Sequence, residues 1–369
     1  MRLLLGGLVC FVALSTNCFA QNVKVGVAGP ITGGLAAFGE QIQHGAEIAA
    51  EDINKQGGLL GKQITVVSGD DGCDPKQARN VANKMVGEKT SVVFGHWCAG
   101  PSMAASSVYN EENILQIDVG GLLNNYTHQG FVGAFRVSTS SRTFAEVIAR
   151  YIEKNNPKAN VAIVTDQPAV TKELSNDLQA LLATTGNKVV AIEDMRGGDK
   201  DFSTVIDKLK TAQPQVVICS CYTVEAGLLA RQMADKKLDV YYYGWDTLNS
   251  PDFLKIIGDA DTKKIVAIDY ARAPQNPVLE KLATTLQAKG WPVETTTILT
   301  YAAFQAYADA VKSANSFETA KVAKILREKK FSTVLGDLKF DQYGERVKPA
   351  FATYQWIDGK LKVTGAVAY

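Results

Sequence analysis

The chain has 369 residues, 46% of them hydrophobic, and a formal net charge of +1. A chain of this length is too long for one simple core and predicts two α/β lobes. The neutral charge balance gives no electrostatic footprint for nucleic acid or for an acidic membrane surface, so neither is expected as a partner.

The first twenty residues, "MRLLLGGLVCFVALSTNCFA", have the layout of a secretory signal peptide. Arg2 precedes an apolar run that extends to Leu14, and a short polar stretch closes on Ala20, after which we expect cleavage. The run breaks at Ser15, short of the roughly 20 apolar residues that a membrane span needs. A lipoprotein anchored through Cys18 is the alternative, but the polar residues before Cys18 are poor neighbours for lipid attachment. The mature protein is therefore expected to be exported and soluble, in an oxidising compartment where cysteines can pair.

In the first part of the chain, short apolar runs alternate with helical patterns. Strands are predicted over residues 23–27, 64–68 and 92–95, and helices over residues 39–54, 75–87 and 101–110. The second of these helices has strong local support. Asp74 can act as its N-cap, Pro75 fits the first helical position, and Gln77 lies three residues after the cap.

A second series of apolar runs follows, with strands predicted over residues 161–165, 189–193, 216–221, 240–244 and 265–269. A helix over residues 300–311 then precedes short antiparallel strands, from Leu335 onward, that turn at Tyr343-Gly344 and Asp358-Gly359. Uninterrupted apolar strands that alternate with helices are typical of parallel sheets covered on both faces. The sequence thus predicts an α/β fold with two such sheets, joined by short crossings that suit hinge closure.

The stretch "VVFGHWCAGP", residues 92–101, ends a predicted strand in side chains that could react or bind. The sequence contains no G-x-S-x-G pentapeptide of a serine hydrolase. A Cys98 nucleophile with His96 as its base is the catalytic alternative. Cys73 and Cys98, however, follow neighbouring predicted strands at the same edge of the sheet. This favours a disulfide, which would stabilise the fold by about 3.5 kcal/mol in the chain-entropy treatment. His96 is then a hydrogen-bonded histidine that supports the strand end.

Neither a metal nor a cofactor is expected. The histidines, His44, His96 and His128, show no HExxH spacing, and the sequence has no CxxC pair. The stretch "GVAGPITGGLAAFGE" lacks the glycine spacing and the lysine of nucleotide-binding loops. Its glycines instead permit close backbone approach at a helix start, where amides favour an anionic group. Cys219 and Cys221 lie two apart on a predicted strand and are interpreted as buried thiols that pack against a helix.

Five stretches carry a specific resemblance when taken together and in order. They are "KVGVAGPITGGLAAFGEQIQHGAEIAAEDINKQGGLLGKQI", "DDGCDPKQARNVANK", "VVFGHWCAG", "GDKDFSTVIDKLK" and "VLGDLKFDQYGE". The chain resembles the periplasmic leucine/isoleucine/valine-binding proteins of ABC importers, over nearly the whole mature sequence. The resemblance implies a type I periplasmic-binding-protein fold, in which two lobes joined by three crossings close on a ligand. It also implies the disulfide between Cys73 and Cys98. Lobe 1 is expected to comprise residues 21–139 and 270–348, and lobe 2 residues 140–269 and 349–369.

The family's carboxylate-binding residues carry over only in part. In that family the ligand carboxylate is held by a serine after the loop cysteine, by a threonine in the next strand-end loop, and by backbone amides at helix starts. The serine and threonine positions match Ala99 and Leu122 here. Losing these two hydrogen bonds should cost about 1.5–3 kcal/mol each. The amides of Gly100, Gly120 and Gly121, or a water, are the candidates to compensate.

The acid that pairs with the ligand ammonium is kept in a shorter form. It matches Asp246, one methylene shorter than the family's usual glutamate, and an unpaired buried acid would favour a ligand with an amine. The family's pocket-edge aromatic matches Phe38, and Trp97 and Trp245 would add to an apolar cleft. The residues expected to contact the ligand are Phe38, Trp97, Cys98, Ala99, Gly100, Gly120, Gly121, Leu122, Val170, Tyr222 and Asp246, where Val170 and Tyr222 match family tyrosines.

By this resemblance the chain is expected to be the solute-binding component of an ABC amino-acid transport system, of the branched-chain type or a related one. It would act as a periplasmic monomer that captures a small-molecule ligand between its lobes and delivers it to a permease in the inner membrane. No covalent chemistry is required, so no enzymatic activity is expected. The alternative keeps the fold but binds an aromatic carboxylate or a small amide.

Overall fold

The computed structural model describes residues 22–166, 168–271 and 276–367, without the side chains of residues 168, 169 and 171. The predicted signal peptide, residues 1–20, lies outside the described residues. None of the helices in the described part of the chain is both long and apolar enough to cross a bilayer.

The first sheet has five parallel strands, in the order β2-β1-β3-β4-β5. Its strands are β1 (Val23–Gly29), β2 (Ile64–Asp70), β3 (Val92–Phe94), β4 (Leu115–Asp118) and β5 (Ala134–Arg136). Helices α1 (Ala36–Lys55), α2 (Pro75–Gly87) and α3 (Ala99–Glu111) connect the first four strands. The α2 cap forms as predicted, because the Asp74 side chain accepts a hydrogen bond from the Gln77 N–H at 2.7 Å.

The next part of the chain begins with α4 (Ser141–Asn155) and builds the parallel strands of a second sheet. Its strands are β6 (Asn160–Thr165), β7 (Lys188–Asp194), β8 (Val216–Ser220), β9 (Tyr241–Gly244) and β10 (Ile265–Tyr270). The helices between them are α5 (Pro168–Thr184), α6 (Ser203–Ala212), α7 (Thr223–Asp235) and α8 (Pro251–Ile257), with a 3₁₀ turn over Asp246–Asn249. Each predicted strand of this series matches one observed strand.

After β10 the chain returns to the first sheet. Helix α10 (Thr295–Ala314) packs on α1 and β3. Along the chain it follows α9 (Pro277–Ala288) and precedes α11 (Thr319–Glu328). A hairpin of β11 (Lys330–Thr333) and β12 (Gly336–Lys339) follows. The chain then crosses again and ends in β13 (Phe351–Ile357) and β14 (Lys360–Val367), which extend the second sheet antiparallel to β10. The order of that sheet is β14-β13-β10-β9-β8-β6-β7.

The fold is therefore α/β, with two mostly parallel sheets between which the chain passes three times, after β5, after β10 and before β13. The turn at Asp358-Gly359 joins β13 to β14 as predicted. The turn at Tyr343-Gly344 closes a single bridge between Phe340 and Arg346, whereas the hairpin turn itself lies between β11 and β12.

Candidate ligand-binding cleft

A cavity with about 570 Å³ of empty space lies where the carboxyl ends of the strands from both sheets meet. The segments after β3, β4 and β5 supply its wall on one side, and those after β8 and β9 supply the other. Ligands of open α/β sheets bind in crevices of this kind, outside the carboxyl ends of the strands.

The predicted ligand residues converge on this cavity with three exceptions. Eight of them line it: Trp97, Cys98, Ala99, Gly120, Leu122, Val170, Tyr222 and Asp246. Phe38 instead stacks on Trp97, with ring centroids 3.8 Å apart, and lines the adjoining groove. Gly100 and Gly121 do not line the cavity, so a direct contact with the ligand is not supported for these two positions.

The loop that follows β3 is fixed from two directions. A disulfide joins Cys73 to Cys98, with Cα atoms 5.5 Å apart, and ties the loop after β2 to the start of α3. His96 is fully buried, and its Nδ1 and Nε2 lie 2.5 Å from Asp71 Oδ2 and 3.1 Å from the Tyr109 hydroxyl. The predicted disulfide and the supporting role of His96 are confirmed. The catalytic alternative required a free Cys98 thiol, and the disulfide removes it.

The second pair of cysteines differs from the prediction. Cys219 and Cys221 are both buried, as expected, but a disulfide joins them, so their interpretation as thiols is wrong. Their side chains leave the same side of the chain at the end of β8, and their Cα atoms are 5.2 Å apart, within the usual range for a disulfide. This bond immediately precedes Tyr222, a cavity residue.

Aromatic rings from segments that follow strands of both sheets surround the cavity. Trp97 and Tyr222 approach each other with ring centroids 6.0 Å apart. Phe144 packs edge to face with Trp245 at 5.3 Å. The Tyr222 hydroxyl also lies 3.6 Å from the Cys73 sulfur, across the cleft. The wall is therefore apolar and is shared between the two sheets.

Two carboxylates interrupt this apolar wall. Burial, and after it the nearby charge of Asp269, raise the pKa of Asp246 to about 8, although the hydrogen bond from the Thr247 backbone N–H acts in the opposite direction. Asp269 is 1% exposed and accepts hydrogen bonds from Asn249 Nδ2 at 2.9 Å, the Thr295 hydroxyl at 2.7 Å and the Tyr270 N–H at 2.6 Å. Asp246 has no comparable set of donors among the described residues. A cation in the cavity would favour the ionised form of Asp246.

The backbone amides expected to compensate for the lost hydroxyls are already occupied at two positions. The N–H groups of Gly120 and Gly121 both donate to Asp118 Oδ1, at 2.8 and 2.6 Å. Gly120 has a different function, because a Cβ there would lie 2.3 Å from Cδ1 of Trp97. The glycine thus lets the Trp97 ring lie against the backbone. The start of α3, with Ala99 and Gly100 in its first turn, keeps amides without a helical partner.

Sequence reasoning missed several cavity residues, namely Val119, Ser138, Phe144, Thr247, Asp269, Tyr270 and Leu299. Ser138 follows β5, a strand that was not predicted. Asp269 and Tyr270 end β10, and the rule that ligands bind at the carboxyl ends of strands could have found them. The hydroxyls of Ser138 and Tyr270 are buried without a hydrogen-bond partner among the described residues.

Comparison with known proteins identifies the family. The family model described as periplasmic binding protein matches residues 22–360. The chain belongs to the periplasmic binding protein family. The Leu/Ile/Val-binding protein homolog 1 of Brucella abortus is 36% identical to it over 354 residues, which cover 95% of each chain.

Solved structures support the same fold for this periplasmic binding protein. The branched-chain amino acid transporter substrate binding protein LivJ from Streptococcus pneumoniae, in complex with isoleucine, matches with a TM-score of 0.86 and 23% identity, over 94% of this chain and 99% of LivJ. An ABC transporter solute-binding protein from R. palustris, in complex with benzoate, matches with a TM-score of 0.83 and 20% identity, over 94% of this chain and 96% of its own. One fold thus accommodates an amino acid in one protein and an aryl acid in another, so the ligand depends on the residues of the cleft.

Proposed function

We propose that this chain is the extracytoplasmic solute-binding component of an ABC amino-acid transport system, and that it captures a branched-chain-type or related amino acid. The observation that carries the proposal is Asp246, a buried carboxylate in a largely apolar cavity wall. A protonated amine would supply the positive charge that this buried acid lacks. The aromatic wall around Trp97, Phe144 and Trp245 suits an apolar side chain.

In this proposal the two halves close on the ligand as lobes, with lobe 1 over residues 21–139 and 270–348 and lobe 2 over residues 140–269 and 349–369. Because residues of both lobes line the cavity, a bound ligand bridges them and stabilises the closed state. The permease in the inner membrane recognises that closed, monomeric form. The protein acts in the periplasm after removal of residues 1–20, without catalysis.

The alternative ligand, an aromatic carboxylate, is less consistent with the charges of the cleft. A bound anion would lie near Asp269 and would further disfavour ionisation of Asp246, and no lysine or arginine is among the described residues that line the cavity. A small neutral amide avoids the repulsion, but it leaves Asp246 without a counter-charge. An amine is the ligand group that fits both carboxylates.

Calorimetry on the mature protein, unfolded and refolded to remove carried-over ligand, tests the proposal. The twenty amino acids and a set of aryl carboxylates are titrated into the wild type, Asp246→Asn and a control, Asp235→Asn, which changes an exposed acid at the end of α7. We expect an amino acid to bind, and Asp246→Asn to weaken it about thirtyfold or more, because breaking a buried charge pair costs about 2–5 kcal/mol. Asp235→Asn should bind as the wild type does. Binding of an aryl acid alone would contradict the proposal and support the alternative.

A further inference from the structure

The cavity holds more groups for a cation than for an anion. Asp246 and Asp269 line it, and the described lining residues include no basic side chain. Ala99 and Leu122 have no hydroxyl to offer a carboxylate. The start of α3 is the anion-binding element that remains.

The nearby backbone amides do not restore the missing anion contacts. Asp118 Oδ1 already accepts hydrogen bonds from both the Gly120 and the Gly121 N–H. A ligand carboxylate would have to displace Asp118 from these amides. It would also approach a cleft that already carries two acids.

Two hydroxyls in the cavity wall need a partner. Ser138 is 1% exposed and Tyr270 is 7% exposed, and both side-chain oxygens lack a hydrogen bond within the part of the chain that the structure describes. Leaving a buried polar group unpaired is unfavourable, so a ligand that reaches these oxygens gains by pairing them. An ammonium group has three N–H donors, which match one carboxylate, Asp246, and two hydroxyl oxygens.

The rings of the wall suit the same ligand group. Trp97, Tyr222, Trp245 and Tyr270 line the cavity beside the two acids. The faces of aromatic rings attract ammonium cations, alkylated ones included, and the attraction grows when water is excluded.

We infer that the cleft recognises its ligand through an ammonium group held by Asp246, Ser138 and Tyr270, and that it does not require a ligand carboxylate. Its ligand class is the organic ammonium cation, which includes amines derived from amino acids. This inference rests on the proposed function, since it concerns the same cleft.

Ligands that differ in a single charged group distinguish the contribution of the amine from that of the carboxylate. Leucine is compared with 3-methylbutylamine, which lacks the carboxylate, and with 4-methylpentanoate, which lacks the amine. Phenylalanine, 2-phenylethylamine and 3-phenylpropanoate form a second set. We expect each amine to bind within about tenfold of its amino acid, or more tightly, and each acid to show no binding. An amine that binds over a hundredfold more weakly than its amino acid would overturn the inference and leave the proposed function intact. Binding of the acids alone, or of no compound in the six, would overturn both.

Two conservative variants test the hydroxyls. Ser138→Ala and Tyr270→Phe should each weaken amine binding about ten- to a hundredfold, as expected for the loss of one hydrogen bond to a charged group. Neither should lower the melting temperature of the ligand-free protein, because the removed oxygen has no partner there. Tyr343→Phe, at an exposed tyrosine outside the cavity, is the matched control and should leave binding unchanged. Wild-type affinity in both variants would overturn the assignment of Ser138 and Tyr270.

Discussion

Ligand binding should depend on pH through Asp246, and the dependence can be worked out from its pKa of about 8. Below that pH the ligand-free carboxyl is mostly protonated, because burial and Asp269 disfavour its charge. An ammonium ligand pairs with the ionised form, so binding must first release the proton. Each pH unit below 8 therefore weakens apparent affinity about tenfold, or by about 1.4 kcal/mol. Affinity should be roughly tenfold below its plateau at pH 7 and about a hundredfold below it at pH 6.

Calorimetry with leucine or 3-methylbutylamine, repeated between about pH 6 and 9, measures this slope. Titrations in buffers of different ionisation enthalpy count the protons released. We expect close to one proton per ligand at pH 6 and close to none at pH 9. The Asp246→Asn variant should lose both the slope and the proton release. Affinity that stays constant across this range in the wild type, with no proton released, would refute the role given to Asp246.

Three further predictions concern stability and packing. In the ligand-free protein, Asp246→Asn should raise the melting temperature more at pH 8 than at pH 5. The pKa of Asp246 is raised in the folded state, so the wild-type protein loses stability as the pH rises toward that pKa, and the asparagine variant does not. An equal effect at both pH values would contradict the burial argument. Replacing both Cys73 and Cys98 with alanine should lower the free energy of unfolding in urea by about 3.5 kcal/mol, since the disulfide closes a loop with a sequence separation of 25. An unchanged denaturation midpoint would count against this contribution of the disulfide. Gly120→Ala should destabilise the fold by about 1–3 kcal/mol and weaken binding, because the added Cβ would lie 2.3 Å from the Trp97 ring. Gly197→Ala is the control: no atom lies within 4 Å of the added Cβ, so stability and binding should both stay unchanged.

Local signals in the sequence were sufficient for much of the fold. The α2 boundaries, Pro75–Gly87, match the prediction because Asp74 and Pro75 define the start of the helix in the chain itself. The strands β4 and β5 were missed, since they have four and three residues and carry buried polar side chains, Gln116 and Arg136. Arg136 is buried because it pairs with Glu345, at a sequence separation of 209 that no local pattern reports.

The candidate site was predictable where it follows predicted strands. The loops that hold Trp97, Tyr222 and Asp246 meet in one cavity because parallel strands bring their carboxyl ends together. Ser138 and Tyr270 were not predicted as cavity residues. They lie where the chain crosses from one sheet to the other, after β5 and at the end of β10, and the path of such crossings depends on tertiary packing. Their unpaired hydroxyls are visible only in the folded structure.

A crystal structure of the mature protein with its tightest-binding amine would test the central claim most directly. We expect the ligand nitrogen to lie between the two sheets, about 3 Å from an Asp246 oxygen, and within hydrogen-bond distance of the Ser138 and Tyr270 hydroxyls. A ligand nitrogen that lies away from Asp246, or a ligand bound outside this cavity, would contradict the account.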